Sequence, residues 1–237
     1  MIDSRIQVAI VDFGLGNLFS VKQACEYAGM DARITSSCTD LFAADAVILP
    51  GVGAYGDAME ALRKLDLIKP LQDIGHSDKW LFGICLGFQL LMERSYEFGA
   101  HEGLGIIEGV VKPLENPVVP DSFEGFPRAL KVPQVGWNRI WQDMNAQSSV
   151  GKIPTSWRET PLSNISDGEY MYFVHSYYVQ PANPDLVIST SKYGQIEFCS
   201  SIQYNNVFAC QFHPERSGPQ GLKIYENIAN MVKKGQE

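Results

Sequence analysis

Positive charge is scarce in this sequence. Its 237 residues include 19 Lys and Arg against 27 Asp and Glu, which gives a formal net charge of −8. Because a surface this acidic repels phosphate backbones, nucleic acid is not expected as a partner. A phosphorylated substrate, if the reaction has one, is expected to sit on another chain.

Cysteine is sparse and scattered. The five cysteines are an odd number and form no CxxC pair or Cys/His cluster, which argues against a disulfide framework and against a bound metal. No cofactor is expected either, since the dinucleotide-type spacing Gly51-x-Gly53-x-x-Gly56 follows the third predicted strand rather than the first. The positions are Cys25, Cys38, Cys85, Cys199 and Cys210.

Long apolar runs are missing as well. The first run, residues 6–11, is too short for a signal peptide or a membrane-spanning helix and has the length of a strand. We therefore expect a cytoplasmic protein with no membrane association, in a compartment where a reactive thiol stays reduced.

Short apolar runs alternate with helical segments in the first half of the chain. The predicted strands are 7–12, 32–35, 46–49 and 80–84, and the predicted helices are 20–28, 57–67 and 86–94. Runs that are apolar throughout are typical of parallel strands buried on both faces. The pattern predicts an α/β fold with a doubly wound, mostly parallel sheet flanked by helices. The length suits one domain over residues 1–237.

The second half has a different composition. Residues 113–133 are rich in Pro, Glu and Gly, which indicates a loop or an inserted segment. Three further runs are strand-like, and the chain closes with an amphipathic helix. These are residues 170–175, 187–190 and 207–212, and the helix is 221–233.

A candidate nucleophile lies in the segment GICLGFQ, residues 83–89. A strand, a glycine-flanked Cys85 and a helix have the form of a nucleophile elbow, in which a sharp turn lifts the side chain above the carboxyl ends of the strands. The helix N-terminus favours a thiolate there. A buried structural cysteine at a tight turn is the alternative interpretation of this segment alone.

A candidate base follows in the segment QFHPE, residues 211–215. A thiol nucleophile needs a neighbouring base, and the base needs a group that orients it. His213 and Glu215 alternate in an extended segment, so both can point to one face. By itself His-Pro-Glu could be a surface turn, but together with the cysteine elbow it predicts a Cys85, His213 and Glu215 triad.

A glycine-rich loop, LPGVG at residues 49–53, follows the third predicted strand. Backbone N–H groups in such a loop can stabilise an oxyanion, with the N–H of Leu86 as the second donor. The sequence therefore predicts an oxyanion site beside Cys85.

These motifs together resemble the class I (triad-type) glutamine amidotransferases, and within them the glutaminase subunits of imidazole glycerol phosphate synthase. The resemblance covers nearly the whole chain and implies the doubly wound glutaminase fold. It rests on VDFGLGNLFSV at 11–21, LPGVGAYGDAM at 49–59, GICLGFQLL at 83–91, KVPQVGWN at 131–138, YFVHSYYV at 172–179 and QFHPERSG at 211–218.

The resemblance assigns roles by position. Cys85 would attack the side-chain amide of L-glutamine, His213 would protonate the leaving ammonia and then activate water, and Glu215 would orient His213. The oxyanion donors would be the N–H groups of Val52 and Leu86. Glutamine would be bound by Gly51, Gly53, Gln89, Glu97, His175, Ser176 and Tyr177.

The resemblance also implies a partner, a (β/α)₈-barrel synthase that receives the ammonia. Trp137, Tyr172 and Arg216 match positions that face this partner near the glutaminase site. The family logic further implies a chain that is almost inactive alone, because docking of the partner would complete the oxyanion site.

Two departures affect the ammonia acceptor rather than the triad. Gln134 stands where the family usually has His, and extra residues occur around 115–129 and 143–160. These departures leave open a paralogue that feeds a sugar-nucleotide-type synthase. Two further alternatives are a cysteine hydrolase or peptidase on a related fold, and a non-catalytic binding subunit.

Overall fold

The computed structural model of the chain describes residues 5–119, 127–142 and 157–235. The helices of this part are α1 Leu18–Tyr27, α2 Cys38–Ala43, α3 Tyr55–Lys64, α4 Ile68–Gly75, α5 Leu86–Leu90 and α6 Gly218–Lys234. Its strands are β1 Gln7–Val11, β2 Asp31–Thr35, β3 Ala46–Leu49, β4 Trp80–Ile84, β5 Met92–Ser95, β6 His101–Glu102, β7 Ile107–Pro113, β8 Val118–Val119, β9 Arg128–Ala129, β10 Gln134–Arg139, β11 Trp141–Gln142, β12 Tyr170–His175, β13 Tyr177–Pro181, β14 Val187–Tyr193, β15 Ile196–Tyr204 and β16 Val207–Cys210.

The main sheet has eight strands in the order β11-β14-β15-β16-β4-β3-β1-β2. The pairings from β16 through β2 are parallel, and those from β16 to β11 are antiparallel. The predicted α/β fold with a large parallel sheet is confirmed, and an antiparallel extension is added at one side. Because β4 and β16 are parallel neighbours, the segments that follow them emerge at the same edge.

Two apolar layers cover the two faces of this sheet. Successive residues of β1 alternate between them, since Ala9 and Val11 belong to the layer beneath α3, α4 and α5. Val8 and Ile10 belong to the layer beneath α1 and α6. Strands β1, β3, β4 and β16 are therefore buried on both sides, which is why their sequences are almost continuously apolar, whereas β2 at the edge of the sheet is largely exposed.

Three smaller sheets stand beside the main one. One has four strands in the order β13-β7-β5-β6, and the other two are the antiparallel pairs β10-β12 and β8-β9. Strand β12 passes through Ser176 directly into β13. This crossing point lies over the carboxyl edge of β4 and supplies one wall of the candidate site.

The predicted helix over 86–94 is wrong beyond Leu90, because Met92–Ser95 is strand β5. The carbonyls of Leu90 and Met92 accept hydrogen bonds from the N–H groups of Leu104 and Gly105, at 2.9 and 3.1 Å, which draws the chain out of the helix. Residues 86–92 are buried throughout, so they lack the exposed face that a surface helix shows.

Two other predicted elements are shorter or more structured than expected. The helix predicted over 57–67 ends at Lys64, because Asp66 has a φ of 55°, and a separate helix α4 follows. The loop predicted over 113–133 contains the antiparallel pair β8-β9, while residues 120–126 lie outside the described part.

Within the described ranges, no helix is long and apolar enough to cross a membrane. That a single domain spans residues 1–237 stays a prediction. Of the extra segment around 143–160, residues 143–156 lie outside the described residues.

Candidate active site

Cys85 occupies the sharp turn between β4 and α5. Its φ is 54°, a strained value for a residue with a side chain, and its backbone N–H is fixed by a 2.8 Å hydrogen bond to the carbonyl of Cys210. The turn also needs glycine at position 87, since a Cβ there would lie 1.7 Å from the carbonyl oxygen of Leu49. The predicted nucleophile elbow is therefore present, and Cys85 is only 6% exposed.

His213 and Glu215 follow β16, the parallel neighbour of β4 in which Cys210 is paired with Ile84. The Nδ1 atom of His213 lies 2.8 Å from Oε1 of Glu215, and the two side chains are 4% and 1% exposed. The other ring nitrogen, Nε2, has no hydrogen-bond partner of good geometry among the described residues. It is left to act on the thiol.

The electrostatics of His213 are those of a paired imidazolium. Burial of the ring opposes its charged form. The negative charge of Cys85 and its interaction with the ring act in the opposite direction, and so do the hydrogen bond and charge of Glu215. These effects outweigh burial and raise the pKa of His213 to about 10. A protonated ring at neutral pH can donate a proton to a leaving group.

The predicted oxyanion loop lies directly against the elbow. The backbone N–H of Leu86 donates to the carbonyl of Gly51 at 3.3 Å, so this donor is occupied. Val52 is 39% exposed. Gly53 has a φ of 107°, a conformation that residues with a side chain rarely adopt. The loop is in place, but its Gly51 carbonyl occupies one of the two predicted donors.

A cavity of about 230 Å³ opens over Cys85. The structure brings together nearly all the residues predicted to bind glutamine, and Gly51 alone of that set is not in the lining. Two further lining residues, Pro133 and Val174, lie in the segments KVPQVGWN and YFVHSYYV, but the sequence assigned no role to either of them. The lining consists of Val52, Gly53, Cys85, Leu86, Gln89, Glu97, Pro133, Val174, His175, Ser176 and Tyr177.

Gln89 and Glu97 are held in place by specific bonds rather than being solvated surface residues. The Gln89 amide nitrogen donates to the carbonyl of Tyr177 and to Oε1 of Gln211, both at 3.0 Å. A carboxylate oxygen of Glu97 accepts the backbone N–H of Tyr55 at the start of α3. Both side chains are thus fixed with polar atoms available to the cavity.

His175 is neutral and held at both nitrogens. Burial lowers its pKa to about 4. Its Nδ1 lies 2.9 Å from the Tyr177 carbonyl, which can only accept, so the ring proton is on Nδ1. Its Nε2 lies 3.2 Å from the Gln134 side-chain amide. A lone pair on Nε2 requires a donor, so the Gln134 amide turns its NH₂ group to the ring.

The three residues predicted to face a partner lie together at the surface. The ring of Trp137, 56% exposed, meets Tyr172 edge-on at 6.1 Å, and the guanidinium of Arg216 lies 4.7 Å from the centre of the Tyr172 ring. Arg139 extends the group by stacking on two further aromatic rings, Trp141 and Tyr170. Trp137 is therefore not a core residue.

In the described part of the chain, no group of three or more His, Cys, Asp or Glu side chains is arranged to hold a metal ion. A cysteine on an elbow beside a buried His-Glu pair, at the carboxyl edge of a doubly wound sheet, is the arrangement of a hydrolase with a thiol nucleophile. The family model described as glutamine amidotransferase class-I matches residues 9–231, and the chain belongs to this family.

Two proteins of similar sequence carry the same name. The imidazole glycerol phosphate synthase subunit HisH of Rhodopirellula baltica is 41% identical over 94% of this chain and 96% of its own length. The subunit of the same name from Aquifex aeolicus is 38% identical over 97% of this chain and 99% of its own.

Solved structures support the fold. A crystal structure of a glutamine amidotransferase superposes with a TM-score of 0.66 at 14% identity, covering 95% of this chain and 98% of that one. The structure of PurLQS from Thermotoga maritima gives a TM-score of 0.62 at 18% identity, covering 96% and 99%.

Proposed function

We propose that this chain is the glutaminase subunit of an imidazole glycerol phosphate synthase. It hydrolyses L-glutamine to L-glutamate and ammonia, and the ammonia passes to a partner synthase in histidine biosynthesis, in the cytoplasm. The observation that carries the proposal is the buried His213-Glu215 pair beside Cys85 at a polar cavity. The curated relatives at 38–41% identity support the choice of synthase.

The reaction follows from the positions of the three side chains. The Cys85 sulfur attacks the side-chain amide carbon of glutamine, and the C–N bond breaks as His213 gives its proton to the departing ammonia. A glutamyl thioester remains on Cys85. The now neutral His213 takes a proton from water, the hydroxide attacks the thioester, and glutamate leaves as the thiolate is restored. Glu215 holds the ring through its 2.8 Å bond throughout.

The cavity offers groups suited to the amino-acid end of glutamine. Glu97 supplies a carboxylate for the ammonium group, and the fixed amide of Gln89 supplies an oxygen acceptor. The walls formed by His175, Ser176 and Tyr177 supply backbone polar groups. This set supports an amino-acid amide as substrate rather than an apolar acyl group.

The oxyanion loop supports control by the partner. While the carbonyl of Gly51 accepts from the N–H of Leu86, this predicted donor is not available to an oxyanion. Rotation of the Gly51–Val52 peptide would free the N–H of Leu86 and direct the N–H of Val52 toward the oxyanion. The positive φ of Gly53 is a backbone conformation that glycine adopts without steric cost, so the loop can accommodate such a rotation. Since one oxyanion donor contributes about 10²–10³ in rate, the free chain is expected to be almost inactive.

The surface cluster of Trp137, Tyr172 and Arg216 supports a docking site for a (β/α)₈-barrel synthase. Exposed aromatic residues and Arg are enriched among interface anchors. The backbone N–H of His213 donates to the Tyr172 carbonyl at 2.9 Å, so this surface is one hydrogen bond away from the triad. Glutamate release should therefore be compared for the isolated chain, the complex, and the complex with acceptor ligand. Equal rates would contradict control by the partner but would not contradict the triad assignment.

Complementation tests the choice of synthase. A strain that lacks its histidine-pathway glutaminase should grow without histidine when this chain is expressed. Failure with soluble protein present would favour the paralogue that feeds a sugar-nucleotide-type synthase, for which Gln134 and the extra segments would then be the sequence signals.

Chemical labelling tests glutamine hydrolysis against the other two alternatives. A diazo-ketone analogue of glutamine should modify Cys85, and excess glutamine should protect it. Labelling of Cys85 that excess glutamine does not reduce would favour a cysteine hydrolase or peptidase. Absence of ammonia release with any partner or ligand would favour a non-catalytic binding subunit.

A further inference from the structure

The side chain of Gln211 touches the sulfur of Cys85, although no step of the proposed reaction uses it. Its amide Nε2 lies 3.6 Å from Sγ, within hydrogen-bonding distance for sulfur, and Gln211 is fully buried. Its backbone N–H is fixed to the carbonyl of Ser200 at 2.9 Å. The orientation of a buried amide beside a nucleophile decides whether the amide stabilises or repels a thiolate.

The orientation is settled by a chain of hydrogen bonds that starts at a backbone carbonyl. The carbonyl of Tyr177 can only accept, so the Gln89 amide must present its NH₂ group there, at 3.0 Å. The same NH₂ group lies 3.0 Å from the Gln211 amide, which must therefore present its oxygen. The NH₂ group of Gln211 is left facing Cys85.

We propose that Gln211 is a catalytic residue of the glutaminase reaction: its Nε2–H donates to Cys85 Sγ and stabilises the thiolate, and Gln89 aims it. The inference rests on the proposed role of Cys85 as nucleophile. A hydrogen bond to a charged group is stronger than a neutral one, and burial strengthens it further. The donor favours the thiolate before attack and again when the thioester is hydrolysed.

The test is the pH dependence of Cys85 alkylation by iodoacetamide, followed site by site in the full-length chain by peptide mass spectrometry. Cys38 is exposed, so all variants carry Cys38→Ser. Gln211→Met keeps the length of the side chain and removes the donor, and should raise the pH midpoint by about one unit, which lowers the alkylation rate roughly tenfold at pH values well below the midpoint. Gln211→Glu, which places an acceptor at the sulfur, should raise it further.

Gln203→Met is the matched control. Gln203 is also a buried glutamine, but it lies on β15 and donates to the backbone of Asn205 rather than to the site. Its substitution should leave the midpoint unchanged even if it lowers the melting temperature. A role of Gln211 in packing alone would give the same result for both glutamines.

The outcomes separate this inference from the proposed function. An unchanged midpoint in either folded Gln211 variant overturns the inference. If neither variant folds, the Gln211 side-chain amide protons of the Cys38→Ser chain decide it by NMR, since they should shift as Cys85 titrates and a constant shift overturns it. If instead Cys85→Ser hydrolyses glutamine at the wild-type rate, Cys85 is not the nucleophile, and the proposed function is contradicted separately from the inference about Gln211.

Discussion

The substitution Glu215→Gln removes the charge behind His213 while keeping the shape of the side chain. The pKa of His213 is about 10, against an ordinary value of 6.5, and the hydrogen bond and charge of Glu215 are among its causes. Without them the pKa of His213 must fall, because burial still opposes the charged ring. The amide can also turn its NH₂ group to Nδ1, which would place the ring proton on the wrong nitrogen.

The expected loss follows from both effects. A general acid and base contributes about 10²–10⁴ in rate, and loss of the orienting carboxylate in comparable triads costs about 10⁴. We expect kcat for glutamate release by the complex to fall by about 10²–10⁴ in Glu215→Gln. The Michaelis constant for glutamine should change little, since Glu215 does not line the cavity.

The assay is steady-state glutamate release at saturating glutamine with the partner present. Glu197→Gln is the control, because Glu197 pairs with Lys192 at an exposed position, 3.2 Å apart, and should leave kcat unchanged. A folded Glu215→Gln protein with a kcat within threefold of wild type would refute the assigned role of the His213-Glu215 pair.

Three further predictions concern stability and docking. The pKa of His213 is raised from 6.5 to about 10 in the folded protein, so the stabilising contribution of its charge is complete below pH 6.5 and is lost as the pH rises through 10. The free energies of unfolding of wild type and His213→Asn, measured in urea, should therefore converge over that window. Gly87→Ala should lower the free energy of unfolding by at least about 3 kcal/mol, whereas Gly235→Ala, at a helical φ of −73° with only ordinary contacts, should change it by less than about 1 kcal/mol. Trp137→Ala should weaken partner binding by about 2 kcal/mol, measured by calorimetry, while Tyr204→Ala, an exposed aromatic on another strand, should not. A lowered melting temperature of the free Trp137→Ala chain, or equal binding losses in both aromatic variants, would contradict the docking surface.

The parallel half of the sheet and the elbow were predictable because their signals are local. Strands buried on both faces must be continuously apolar, and a turn at φ 54° followed by a close helix approach must carry glycine at position 87. The cysteine, histidine and glutamate signals lie at the ends of β4 and β16, which become neighbours only through the sheet order.

The remaining elements were not predictable from local patterns. Strands β5 and β7 depend on pairing with each other and with β6 and β13, and their sequences are mixed in polarity. The predicted helix continued past Leu90 because residues 89–94 are strong helix formers, and tertiary hydrogen bonds override that preference.

Within the candidate site, the contacts that could not be predicted join residues that lie far apart in the sequence. The Gln89–Gln211 bond joins residues 122 positions apart, and the Gln211–Cys85 contact joins residues 126 positions apart. No spacing rule links such positions. The occupied N–H of Leu86 likewise depends on how the loop after β3 lies against the elbow.

The central claim is that Cys85 is the nucleophile of glutamine hydrolysis. It is tested most directly by measuring glutamate release from glutamine by wild type and Cys85→Ser, each with the partner synthase and acceptor ligand. Serine lacks the acidity and nucleophilicity of a thiol in a site arranged for thiolate. The account predicts steady release by wild type and none above background by a Cys85→Ser protein with the same melting temperature. Release by Cys85→Ser at the wild-type rate would contradict it.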